Sequence, residues 1–126
     1  MRPFILVAVG GAAGTLSRHG IAEVLDPGLQ FPLATFLVNM TGSFALGALL
    51  VVLLVREQTT SADQWRLLLG TGLLGGYTTY SALAVETDAL LRGEHVALGL
   101  AYAGGSVLAG LLAALAGIVT ARAMIR

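Results

Sequence analysis

Two adjacent glycines, a tyrosine, a threonine pair, a second tyrosine and a serine run from Gly75 to Ser81, inside an apolar stretch long enough to cross a bilayer. The groups this run offers are main-chain carbonyls and hydroxyls, which solvate small ions. It has no nucleophile paired with a base, as covalent catalysis would need, and an enzyme is not expected. Each glycine costs a helix about 1 kcal/mol relative to alanine, and the threonines add β-branching and competing hydroxyls. The pattern therefore predicts an interrupted helix. Carbonyls released at membrane depth must meet protein, water or an ion.

Further polar residues recur at helical spacing. Thr35, Asn39 and Ser43 follow one another every four residues and share a helix face. Asn39 falls mid-stretch and has two readings: interhelical glue worth about 0.6 kcal/mol, or an uncharged donor presented to something bound or passing. Tyr102 and Ser106 form a second such pair, extended by the bare backbone of Gly110. Tyr102 reads either as part of that polar face or as an interfacial anchor. The third stretch adds Thr78, Thr79, Tyr80, Ser81, Glu86, Thr87 and Asp88, and Glu86 lies seven residues after Thr79, on nearly the same face. An acid inside a membrane is a functional candidate; one at the interface simply faces water, and both readings apply to Glu86 and Asp88. Together these residues describe a path lined by hydroxyls, an amide and aromatic rings. Its O–H and N–H donors favour an anion and its freed carbonyls a cation; the two could coexist, each offsetting the other's field.

The elements that must position these groups follow from composition. Of 126 residues, 56% are hydrophobic and 11% charged, and the mean hydropathy is +0.86. This is the composition of an all-α, multi-pass membrane protein forming a single domain over residues 1–126. Four spans are predicted, at about residues 3–25, 31–55, 65–91 and 96–124, each reaching the roughly 20 residues needed to cross. Asp26, Pro27 and Gly28 make a turn, residues 56–63 a polar loop, and Arg92, Gly93 and Glu94 a tight connection. Arg18, His19 and Glu23 interrupt the first stretch where a cleavage site of small residues would lie, so it reads as a retained span. Zero net charge without a basic run gives nucleic-acid binding no support. Cysteine is absent, which excludes disulfides and thiolate chemistry, and His19 and His95 form no metal motif. Glycines at 10, 11, 14, 42, 47, 104, 105, 110 and 117 offer small-residue contact faces suited to oligomerisation. All seven basic residues are arginine; with the amino terminus inside, Arg2, Arg56, Arg66, Arg122 and Arg126 are cytoplasmic, and Arg18 and Arg92 lie toward the other side.

The residues now assembled resemble the Fluc family of fluoride channels, also called CrcB proteins, over nearly the whole chain. Gly10-Gly11-Ala12-Ala13-Gly14 followed by Arg18 resembles the family's first-span motif; Pro32, Thr35, Asn39, Gly42-Ser43-Phe44 and Gly47 resemble the second. Gly75 to Ser81, continuing to Glu86, resembles the third-span signature. The resemblance implies a cell-membrane protein that assembles as an antiparallel, dual-topology homodimer with two pores and passively exports fluoride. It further implies a structural sodium ion at the dimer centre, held by the backbone carbonyls of Gly75 and Thr78. Asn39 and Thr79 would then line the pore, and the aromatic positions after the threonine pair would offer ring edges to fluoride. Ser81, Glu86, Tyr102 and Ser106 would form a polar track, with Arg18 nearby. Two positions where the family usually has phenylalanine carry Tyr80 and Leu83, and Ala82 and Ala84 replace common hydroxyl residues. Those departures leave room for a heterodimer with a second family member, or a non-conducting subunit. A small proton-coupled exporter is a further alternative, which would want a mid-membrane acid.

Overall fold

A computed structural model describes residues 2–25, 30–55 and 60–125. The turn expected at Asp26-Pro27-Gly28 lies outside them, as do Arg56 and Arg126 from the orientation argument. The described chain is helical apart from short connections: α1 (Arg2–Leu25), α2 (Leu33–Val55), α3 (Thr60–Trp65), a π-helical segment (Arg66–Leu74), α4 (Gly75–Tyr77), α5 (Tyr80–Arg92) and α6 (Val96–Ile125). Three of these, over Pro3–Leu25, Leu33–Leu54 and Val96–Ile125, are each long and apolar enough to cross a membrane unbroken. The fourth crossing is the composite rod from Thr60 to Arg92, interrupted in its middle.

The interruption is narrower than the sequence suggests, and other residues make it. Gly75 and Gly76 remain helical. Only Thr78 (φ −76°, ψ 156°) and Thr79 (φ −150°, ψ 122°) leave the helix, both in extended conformation. The threonines supply what an interrupted helix lacks. Thr78 closes the first half, its N–H and its Oγ1–H both donating to the Leu74 carbonyl at 2.9 Å. Thr79 opens the second half as a helix cap, its Oγ1 accepting from the Ala82 N–H at 3.1 Å.

Gly76 serves packing instead. A Cβ on Gly76 would collide with the Gly11 carbonyl, and one on Gly14 with the Leu73 carbonyl, so α1 and the first half of the broken rod touch backbone to backbone. A second such seam joins α2 to α6, where a Cβ on Gly47 would strike the Ala114 carbonyl and one on Gly117 the Phe44 carbonyl. Close approach of this kind is how helices associate where lipid removes the hydrophobic drive. Much of the small-residue surface expected to join subunits is thus consumed within one chain. Gly104 and Gly105 differ: a Cβ on either meets nothing within 4 Å.

That contrast predicts Gly76→Ala to destabilise the protein by about 1–3 kcal/mol through overpacking, while Gly104→Ala, mid-helix in open space, raises the stability of the isolated chain by up to about 1 kcal/mol. Thermal unfolding of both variants in detergent, followed by circular dichroism, checks the difference.

Candidate ion pathway

At the break, the side chain of Asn39 does for Thr79 what a neighbouring strand would do. Its Oδ1 accepts from the Thr79 N–H at 2.8 Å and its Nδ2 donates to the Thr79 carbonyl at 3.0 Å. A carboxamide carries the same donor and acceptor as a peptide unit, so one side chain satisfies both main-chain groups of an extended residue. The pairing also takes donors away from carbonyls one turn earlier. The helical partner of the Gly75 carbonyl would be the Thr79 N–H, now committed to Asn39. The partner of the Thr78 carbonyl would be the Ala82 N–H, now committed to the Thr79 hydroxyl. Gly75 and Thr78 both border a cavity of about 300 Å³ shared with Asn39, Thr79, Tyr80 and Leu83.

A second cavity, of about 580 Å³, lies between α1 and α5 and has a different lining: Thr15, Arg18, His19, Thr35, Thr79, Ser81 and Glu86 border it. Thr79 borders both cavities and is itself buried, so it forms the partition between them. Its hydroxyl also lies 3.2 Å from the Ser81 hydroxyl, which continues the polar lining along α5. Arg18, half-buried, supplies a full positive charge to this wall.

Glu86 is the hub of the polar residues. Its Oε1 accepts from the Thr35 hydroxyl at 2.7 Å and its Oε2 from the Tyr102 phenol at 2.6 Å, so one carboxylate ties together α2, α5 and α6. These short charge-assisted bonds are stronger than neutral ones and fix both donors. Tyr102 is 1% exposed, and the edge of an aromatic cluster covers it: Phe31 stands at 83° to its ring at 5.3 Å, and Phe36 packs on Phe31 at 5.7 Å. One turn further along α6, the Ser106 hydroxyl is buried and finds no protein partner among the described residues. A buried hydroxyl without a partner calls for a bound species, water or ion, to complete it.

The structure thus brings Asn39 to Thr79, Glu86 to Tyr102, and Ser81 to Thr79, and sets Arg18 across the same cavity from Glu86. The two aromatic-position residues border the same cavity but differ in exposure. Tyr80 is 79% exposed, whereas Leu83 is buried against Leu90 and Tyr102 while also touching the cavity at the break. Sequence reasoning left several participants out of the site. Thr35 was visible as part of a polar stripe, but its bond to Glu86 joins residues far apart in the chain. Phe31 precedes α2 and so shares no helical spacing with Phe36. Thr15, which donates to the Gly76 carbonyl at 3.4 Å, gives no signal in an otherwise apolar stretch. Among the described residues no group of three His, Asp or Glu side chains could hold a metal.

A four-crossing helical bundle with one interrupted rod and polar groups gathered at the break defines a multi-pass integral protein of the cell membrane. The family model for CrcB-like proteins, described as camphor resistance (CrcB), matches residues 5–118. The chain is 37% identical over 126 residues to the fluoride-specific ion channel FluC of Caulobacter vibrioides, covering 97% of each. It is 44% identical over 119 residues to a protein of that name from Thermus thermophilus, covering 93% of each, and 44% identical over 125 residues to that of Hyphomonas neptunium, covering 97% of each. The chain belongs to the CrcB family.

If Asn39 holds the break in shape, Asn39→Ala should leave the Thr79 N–H without its partner at a cost of about 1–3 kcal/mol. Amide hydrogen exchange at Thr79 should then quicken by about tenfold or more, while exchange in the body of α6 stays as it was. Equal protection of Thr79 in both proteins would remove Asn39 from this role.

Proposed function

We propose that this chain forms a passive, selective fluoride channel that lets fluoride leave the cytoplasm down its electrochemical gradient. The observation that carries the reading is the pair of cavities that meet at Thr79, one bordered by Arg18, Ser81 and Glu86 and the other by Asn39 and the break, in a chain whose relatives are named as fluoride-specific channels. Fluoride is small and strongly hydrated, so a path that carries it must replace water with many donors. The hydroxyl pair of Thr79 and Ser81, which uses one O–H between its two members, offers a donor of that type on the cavity, whereas the Thr35 and Thr15 hydroxyls donate to Glu86 and to the Gly76 carbonyl. A fixed lysine in such a path would bind the anion too tightly to release it. Neutral dipoles, backed by one arginine at the cavity wall, favour entry without trapping.

Hydrogen fluoride crosses membranes as a neutral acid and dissociates in a more alkaline cytoplasm, which leaves fluoride trapped inside. Export then needs no fuel, because a negative-inside potential contributes about 2.3 kcal/mol per 100 mV to the outward movement of one anion. The carboxylate of Glu86 is engaged by two hydroxyl donors, an arrangement that serves a fixed lining better than the repeated protonation an exporter of cations would require.

Within the same reading, two chains pair in antiparallel orientation, and a sodium ion sits where their breaks meet. Two neutral carbonyls per chain, at Gly75 and Thr78, with no carboxylate on that cavity wall, suit a monovalent cation, and a second copy would supply two more. The ion's contribution would be a fixed positive charge beside the path. The wide exposure of Tyr80 beside the same cavity is consistent with a covering partner, either a second copy or a related chain.

Liposomes containing the purified chain alone should release fluoride much faster than chloride; equal rates would overturn the proposal. Flux appearing only after co-expression with a second family member would assign the working channel to a heterodimer. Asn39→Asp places an oxygen against the Thr79 carbonyl and a negative charge at the break, and fluoride release should fall by about 10- to 100-fold. Tyr80→Phe should leave release within about twofold if the ring edge is what matters there.

A further inference from the structure

We propose that His19 acts with Arg18 as an entry charge for the anion, making the mouth of the pathway more attractive to fluoride as the pH falls. The inference rests on the fluoride reading above. His19 follows Arg18 on α1, and both border the cavity of about 580 Å³ whose opposite wall, on α5, carries Ser81 and Glu86. Its side chain stands largely clear of the chain's own packed atoms, at the edge of that cavity. Histidine is the side-chain type whose charge changes between about pH 5 and pH 8.

Among the described residues, three charged groups lie near His19. Arg18 beside it is positive. Glu23, one turn on along α1, lies 4.0 Å from the His19 Nε2, beyond hydrogen-bond distance. Glu86, from α5, is negative, but both its oxygens are engaged by Thr35 and Tyr102. From α2 the cavity receives Thr35, which carries no charge. Without a proton on His19, the one positive charge of Arg18 faces two carboxylates. With it, positive and negative charges balance, and a potential that repels an anion at the mouth is relieved. A recessed mouth concentrates such a field along the approach, so local anion concentration and entry rate rise with the added charge. The effect is one of electrostatic recruitment, and salt must weaken it.

The test measures fluoride efflux from liposomes at equal pH on both sides, between about pH 8 and about pH 6, at ionic strengths of about 0.01 M and about 0.15 M. At the lower ionic strength, release should rise about two- to fivefold toward acid pH, and the rise should shrink at the higher one. His19→Gln should hold release at the alkaline level across the range, and His19→Arg should hold it at the acid level. Glu23→Gln should raise release at every pH while keeping the acid-dependent rise. An unchanged pH profile in His19→Gln, or a rise that salt leaves untouched, would overturn the proposal while fluoride release itself persisted. Absence of fluoride release in every protein at every pH would strike the channel reading instead.

Discussion

A main chain that leaves its helix inside a membrane must find partners for its N–H and C=O groups from its own fold, because lipid supplies none. At Thr79 the partner is the carboxamide of Asn39, which takes the N–H at 2.8 Å and the carbonyl at 3.0 Å. Much else depends on that pairing. It lets the third crossing stop and restart within two residues. It withdraws the Thr79 N–H from the Gly75 carbonyl, and the Thr79 hydroxyl withdraws the Ala82 N–H from the Thr78 carbonyl. Two main-chain oxygens are thereby left beside a cavity at membrane depth. The same residue that seals the break thus creates the polarity around it.

Polar residues in the rest of the bundle are used with similar economy. Thr35, Glu86 and Tyr102 come from three helices and meet in two short hydrogen bonds, covered by Phe31 and Phe36. Removing the carboxylate would leave two hydroxyls without acceptors, and removing either hydroxyl would leave a charge partly uncompensated. The network therefore fixes how α2, α5 and α6 sit beside the cavity between α1 and α5, and it keeps a carboxylate there without leaving it unpartnered. The glycine seams allow this compactness: where α1 meets the broken rod and where α2 meets α6, backbones approach so closely that a methyl group would strike a carbonyl.

The sequence by itself made several features legible. Hydropathy set the class and the four crossings, to within a few residues at most ends. The cluster of glycine and threonine marked the interrupted crossing, and spacing by four placed Thr35 with Asn39 and Tyr102 with Ser106 on shared faces. These are local properties, decided by composition and helical geometry over a few turns, and they are written along the chain.

Tertiary structure decided which residues do which work. From the sequence, Gly75 and Gly76 looked like the breakers, yet they stay helical and Gly76 serves close packing against Gly11, while Thr78 and Thr79 make the break. Asn39 was open between glue and ion contact; in the fold its amide binds the backbone of a residue 40 positions away. Glu86 finds Thr35 at a separation of 51 residues and Tyr102 at 16, pairings that no periodicity within one helix can specify. A helix pattern fixes which side chains share a face, but which face meets which is settled only when the rods pack. Chemistry that needs two helices is therefore read from their contact.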